Sequence, residues 1–365
     1  MKLADALDPA AAVRPAGTER PLSFFEFWPD WLFYFPVVVH WIALGLRHRD
    51  FSLPTAANPA ITAGGLCGER KTETLDLVQG PARELLARYI AVEARAGAAE
   101  TAARALASAG LDYPVVVKPD VGCNGTGVRL LHGPDDLDLY LSEFPSGERI
   151  VLQEFIAYEG EAGIFYVRNP DEPWGRITSI TLKHAPVLIG DGRSSLRQLI
   201  HADPRAGRIP HLYLPRLARR LDSVPRQGER VRLVFVGNHC KGSIFQDGTR
   251  LVTAALTEVF ERIARSMPHF HFGRIDVRFE SLPSLLRGEG FRIIEINGAG
   301  SEATHVWDPT TSLWEAWRAQ FFHYGAAFRI GAANRARGFS SSGTRSMYRL
   351  WRQQKRLMAA YPMNN

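Results

Sequence analysis

The sequence predicts an α+β protein. Three observations carry the prediction. Short apolar runs of strand character are bounded by glycine and proline, several stretches show helical capping or amphipathic spacing, and residues 272–297 read as two strands with polar residues on alternate positions. No strand followed by a glycine fingerprint precedes residue 110, so a dinucleotide-binding domain is not supported.

The chain of 365 residues is long enough for a substantial core and two or three subdomains. A hydrophobic content of 45% and a charged content of 22% describe an ordinary folded protein. The net charge of +6 slightly favours anionic partners and is too small to imply nucleic acid. Cys67, Cys123 and Cys240 match no metal-binding spacing, so a reducing, cytoplasmic setting is expected. Met1–Gly17 lacks the basic start and apolar core of a secretory signal and reads as a loose leader.

Trp31 to Leu46 carries no charged residue and is followed by Arg47, His48 and Arg49. Its first reading is a buried helix from near Pro36. An interfacial, aromatic-rich membrane contact and a true span are the alternatives, the last weakened because spans need roughly 20 residues. Pro54 to Gly65 is a loop, and Lys71 heads a helix expected to run to about Arg88. Tyr89–Val92 is a strand, and 96–110 is an alanine-rich helix.

Tyr113–Lys118 is a buried strand stopped by Pro119, and Gly122, Gly125, Thr126 and Gly127 make a flexible loop before a strand at 128–131 and a helix at 135–141. Glycine backbone can aim amide hydrogens at phosphate oxygens, and Lys118 supplies positive charge beside it; the alternative is a plain hairpin. Strands follow at 150–156, 164–167 and 177–182, the last ending at Lys183. Gly190-Asp191-Gly192 turns into a helix through Ile200 capped by Ser194 or Ser195. The arginine-rich run 193–232 is a solvated face in one reading and a contact for an anionic substrate in the other. Strands at 231–236 and 243–245 and an amphipathic helix at 253–267 lead to the central hairpin.

In that hairpin Arg274 and Asp276 share one face of the first strand, and Glu295 and Asn297 share one face of the second. Paired through the loop 281–290, these strands bring three oxygen-bearing side chains and one guanidinium together. Oxygen ligands from Asp276, Glu295 and Asn297 suit magnesium, which leaves positions for phosphate oxygens, and Arg274 would face the negative charge beside it. Glu295, set among Ile293, Ile294 and Ile296, needs a partner to offset its desolvation. Beyond the loop Gly298–Glu302, Ser312 and Glu315 form a capping box for a long helix whose stripe Leu313, Trp317, Phe321, Tyr324 and Phe328 reads as core. The tail 346–361 is a basic amphipathic helix, either docked on its own domain or resting on anionic lipid.

The ordered set Lys71, PVVVKPDVGCNGTGV, LQEF with Glu161, GDGRSSLRQLI, FGRIDV and IIEINGAG resembles the ATP-grasp superfamily of carboxylate-amine ligases, over roughly residues 65–330. The resemblance implies an ATP-grasp fold with the nucleotide between two α+β subdomains. The expected divisions are 1–64 as an apolar N-terminal segment, 65–185 and 186–335 as the two grasping subdomains, and 336–365 as a basic tail. It implies that Lys71 and Lys118 grip the phosphates of ATP under the loop 122–127. Glu154, or the backbone beside it, would meet the adenine edge, with Phe155 and Ile156 in the slot. Glu161 would accept from the ribose hydroxyls, and Lys183 would reach phosphate. Asp276, Glu295 and Asn297 correspond to the ligands of Mg2+ (or Mn2+), and Arg274 to the residue that stabilises the charged intermediate.

The implied reaction joins a small, anionic carboxylate to an amine through an acyl phosphate, releasing ADP. Two features depart from the family pattern: the apolar stretch replaces the usual N-terminal α/β subdomain, and the acceptor loop 297–302 has its own sequence. Other readings are a kinase acting on a hydroxyl and a membrane-surface nucleotide-binding adaptor without catalysis. A homodimer and a peripheral membrane contact through 31–46 and 346–361 are further expectations.

Overall fold

The computed structural model describes residues 22–95 and 97–363; the leader expected over Met1–Gly17 lies outside the described residues. In chain order the elements are α1 (Asp30–His48), α2 (Lys71–Asp76), β1 (Tyr89–Glu93), α3 (Ala98–Ser108), β2 (Val115–Pro119), β3 (Arg129–Leu131), α4 (Pro134–Glu143) and β4 (Arg149–Glu154). There follow β5 (Gly160–Val167), β6 (Arg176–His184), β7 (Val187–Ile189), α5 (Leu196–Ala202), α6 (Pro210–Tyr213), β8 (Arg230–Arg232) and β9 (Ile244–Asp247). The chain continues through α7 (Ala254–Ser266), β10 (Phe272–Phe279), α8 (Leu282–Leu286), β11 (Phe291–Asn297), α9 (Leu313–Ala336) and α10 (Thr344–Ala360).

Two antiparallel sheets organise these elements. A four-stranded sheet has the order β1-β4-β2-β3, and a five-stranded sheet the order β11-β10-β5-β6-β9, with β7 and β8 forming a separate pair. The smaller sheet packs Val115, Val117, Ile150 and Leu152 against Ala102 and Leu106 of α3 and Leu137 and Tyr140 of α4. The larger sheet packs Ile164, Ile180, Ile275 and Ile293 against Leu256, Phe260 and Ile263 of α7. Period-two alternation leaves each sheet one apolar face under helices and one face turned to a shared cleft. The α+β class expected from the sequence is observed. The five-stranded sheet takes β5 and β6 from before residue 185 and β9, β10 and β11 from after it, so its strands cross the boundary expected there.

Several element bounds differ from the sequence reading, each for a local reason. The helix expected from Lys71 to Arg88 stops at Asp76, because Gly80 at φ +59° and Pro81 redirect the chain into a 3-10 turn over Gly80–Leu85. The strand expected over 231–236 is only Arg230–Arg232, and 233–238 is irregular backbone before a 3-10 turn over His239–Lys241. The loop 281–290 contains α8, capped by the Ser281 hydroxyl. Helix α1 starts at Asp30 rather than near Pro36, and its first turns hold because Phe33 buries against Phe25 and Trp307 at ring distances of 5.3 and 4.7 Å. It is not buried throughout: only Phe33, Val37 and Gly45 are. The aromatic stripe of α9 is correspondingly the wall against α1, with Trp41 over Tyr324 and Phe328 at 5.3 and 5.1 Å. The core-facing side of α9 is instead Ala316, Gln320, His323, Ala327 and Ile330.

Candidate active site

The alternation that builds the two cores also aims the polar residues. In β2, Val115 and Val117 face the helices, so Val116 and Lys118 face the cleft. In β10, Ile275 and Val277 enter the core, so Arg274, Asp276 and Arg278 line the same cleft. The register pairs Arg274 with Asn297 and Asp276 with Glu295, then Val277 with Ile293, which makes Ile294 the extra residue of a β-bulge. The bulge lets Ile293 and Ile296 both reach the core while Glu295 and Asn297 line the cleft. It also aims the Ile294 carbonyl away from the ladder. That carbonyl accepts hydrogen bonds from Lys118 Nζ at 3.2 Å and Gln153 Nε2 at 3.3 Å, tying the smaller sheet to the larger one.

The open cleft between the sheets has a volume of about 630 Å3, within the range of small-molecule sites. Fourteen of the residues singled out in the sequence line it: Lys71, Lys118, Gly122, Gly125, Thr126, Glu154, Phe155, Ile156, Glu161, Lys183, Arg274, Asp276, Glu295 and Asn297. Gly127 does not. It supports the loop from behind, where its carbonyl accepts from the Tyr140 hydroxyl at 2.7 Å. Gly125 requires its glycine, because φ is +66° and a Cβ there would overlap the Val236 side chain.

A chain of charges crosses the floor. Arg274 binds Asp276 through both carboxylate oxygens, at 2.9 and 3.0 Å. Lys183 lies 3.1 Å from Asp276 Oδ1 and 3.2 Å from Glu161 Oε1, and Arg278 lies 3.3 Å from Glu161 Oε2. Burial pushes the Asp276 carboxyl up, but Arg274 and Lys183 outweigh it and hold it below the ordinary range. Glu161 is likewise held down against burial by Lys183 and Arg278. Lys71 reaches Glu295 at 3.4 Å and donates to the Gly122 carbonyl at 2.7 Å. Lys118 donates to Gln153 Oε1 at 2.7 Å, and burial lowers its pKa to about 8. Glu154 turns its carboxylate to Arg88, at 3.3 Å, which leaves the backbone beside it to border the slot of Phe155 and Ile156.

Beyond Arg274 the cavity ends in a polar pocket that the sequence reading did not assign. The Glu302 carboxylate accepts from the Tyr34 hydroxyl at 2.8 Å, from Trp307 Nε1 at 2.6 Å and from Gln320 Nε2, and burial pushes its carboxyl above the usual range. Arg274 Nη1 donates to the Glu302 carbonyl at 3.0 Å. His239 stacks on Trp307 at 4.5 Å, and burial lowers its pKa to about 3, so its ring is neutral at pH 7. Helix α10 closes the opposite side with Trp351, Gln354, Lys355 and Met358. Its anchors are the Gly68 amide, donating to Gln354 Oε1 at 2.7 Å, and the Tyr361 hydroxyl, donating to the Val121 carbonyl at 2.8 Å. Arg278 was legible as a site residue, since it continues the period-two series from Arg274 and Asp276. Tyr34 and α10 had no sequence signal linking them to the cleft, because only tertiary packing brings them there.

Asp276, Glu295 and Asn297 are oxygen donors on paired strands, and the Asn297 amide nitrogen bonds Asp276 Oδ2 at 3.3 Å. Among the described residues no group of three or more His, Cys, Asp or Glu side chains is placed to hold a metal. Two carboxylates and an amide are the set that remains, and it suits magnesium, which keeps several water and phosphate oxygens.

No family model matches the chain. Two curated relatives, the bifunctional glutathione biosynthesis protein GshAB from two strains of Streptococcus thermophilus, are each 26% identical over 176 residues, covering 43% of this chain and 22% of the relative. The match therefore spans about a fifth of the length of those relatives. Solved structures that align with it include a bifunctional glutathione synthetase from Pasteurella multocida, at 17% identity and TM-score 0.36 over 69% of this chain and 36% of that one. Others are the VanG D-Ala:D-Ser ligase from Enterococcus faecalis, at 14% and 0.40 over 72% and 64%, and the D-alanine-D-alanine ligase from Coxiella burnetii, at 10% and 0.41 over 76% and 62%. The chain resembles the ATP-grasp ligases.

Proposed function

We propose that this protein is an ATP- and magnesium-dependent ligase that joins a carboxylate to an amine through an acyl phosphate, releasing ADP and phosphate. The observation that carries the reading is the convergence of Lys71 and Lys118 with Lys183, Arg274, Asp276, Glu295 and Asn297 in one cavity between two sheets. Lys71 and Lys118 hold the phosphates beside the loop 122–126. Mg2+ held by Asp276, Glu295 and Asn297 would offset phosphate charge. The substrate carboxylate attacks the terminal phosphorus; the oxygen bridging it to the β-phosphate leaves with ADP, and the acyl phosphate forms. The amine then attacks the acyl carbon, and phosphate leaves.

Arg274 is pre-aimed for the second step. Its guanidinium is held by Asp276 and the Glu302 carbonyl, so it meets the developing oxyanion with little reorganisation. Neutral His239 agrees with chemistry done by placement and electrostatics.

Incubation with ATP, Mg2+ and pooled amino acids and acidic metabolites is expected to release ADP and phosphate only when both substrates are present. Hydroxylamine in place of the amine should trap a hydroxamate. ADP release with a phosphorylated hydroxyl product and no hydroxamate would establish a kinase instead, and AMP release would exclude both.

A further inference from the structure

We propose that the outer face of α1 is a docking surface for an anionic lipid bilayer, on which the protein lies without crossing it. The inner face of α1 is committed to the fold: Phe33 and Val37 are buried, Tyr34 reaches Glu302, and Trp41 packs on α9. The outer face is apolar along its length. Trp31 (71% exposed), Phe35 (64%), Val38, Val39, Ile42 and Leu46 (65%) recur at helical spacing, and nothing among the described residues covers them. Phe24 and Phe27, also exposed, precede the helix.

Chemistry selects the occupant. Protein interfaces carry about one hydrogen bond per 100–200 Å2, and the six outer side chains of α1 offer a single donor, the indole N–H of Trp31. Such a face has little to give a protein partner and suits acyl chains. An indole at one end matches the depth at which tryptophan sits in a bilayer interface. The charged rim is mainly basic: Arg47 and Arg49 are exposed at the end of the helix and Arg318 and Arg329 on α9, against one exposed acid in the first turn of each helix, Asp30 and Glu315. Such a rim attracts anionic headgroups. No described helix is long and apolar enough to cross a membrane, so the geometry is in-plane.

The full chain is floated with vesicles of phosphatidylcholine alone and with vesicles containing 30 mol% phosphatidylglycerol. Wild type is expected to rise with the anionic vesicles, and Trp31→Ser/Phe35→Ser to lose at least about tenfold in partitioning. Arg47→Gln/Arg49→Gln should lose about thirtyfold on anionic vesicles and change little on neutral ones. Circular dichroism checks the fold of each variant, with Leu46→Gln as a milder replacement. Wild type remaining at the bottom of both gradients overturns the proposal. So does a solution dimer that Trp31→Ser/Phe35→Ser dissociates, since a second copy then covers the face. Neither outcome bears on the ligase reaction.

Discussion

Lys118 was readable because a lysine closing a valine run has one face to occupy once the valines take the core. What the sequence did not carry is its environment: the bulge at Ile294 and the Gln153 side chain, both of which arise from strand pairing. Burial sets its pKa near 8 in the free protein, and bound phosphate oxygens would favour the ammonium and raise that value. Below pH 8 the lysine is charged with or without nucleotide, so affinity is flat. Above it, binding must take up a proton, so affinity should fall by up to about tenfold per pH unit until the bound-state pKa is reached. Calorimetry at pH 8.5 in buffers of different ionisation enthalpy should report this uptake, and Lys118→Met should abolish it while weakening ATP by about 10- to 100-fold. Asp276 makes the complementary case. Asp276→Asn keeps the shape but leaves Arg274 and part of the Lys183 charge unbalanced in a buried site, so we expect loss of ADP release and destabilisation of about 3 kcal/mol in urea unfolding. Full turnover in that variant would remove Asp276 from the site.

At the scale of elements, the hairpin β10–β11 was legible because period-two polarity survives in it, and α9 because its capping box is local. Helix α10 was legible as a helix but not as a cavity wall. Its amphipathic pattern specifies a docked face, and only the fold says that the dock is the glycine loop. There the Tyr361 ring stacks on Phe144 at 5.0 Å, its hydroxyl binds the Val121 carbonyl, and Met358 sulfur lies 3.7 Å from Cys123 sulfur. The loop is thus fixed from outside while Val236 closes on Gly125 from the other side. Tyr361→Phe removes one hydrogen bond of about 1 kcal/mol. If α10 positions the loop for nucleotide, steady-state kinetics should show a KM for ATP raised about fivefold with kcat unchanged, whereas a purely structural role would lower the melting temperature and leave KM alone. Trp351, in the cavity wall, supplies a fluorescence signal for binding in the same variant.

For the whole molecule, the net charge of +6 suggested a preference for anionic ligands, but that excess is not concentrated in the cleft. Among the described residues the cavity is lined by six lysine and arginine side chains and six aspartate and glutamate side chains. Most of the cations are already paired there: Arg274 and Lys183 with Asp276, Arg278 with Glu161, and Lys71 with Glu295. A triphosphate entering such a site cannot be neutralised by the lysines alone, because recruiting Lys71 frees Glu295 and recruiting Lys183 frees Glu161 and Asp276. A divalent cation resolves both halves, offsetting the phosphates and the released acids together. ATP affinity should therefore depend steeply on magnesium, weakening at least about a hundredfold in EDTA, the equivalent of one or two charge-assisted contacts. Adenosine, which brings no phosphate, should bind equally well with and without the metal. Titration of both ligands by calorimetry, with Mg2+ and with EDTA, separates the cases. Equal ATP affinity in EDTA would mean that the lysines outweigh the acids without help, and that Asp276, Glu295 and Asn297 hold the floor of the cleft together rather than a cation.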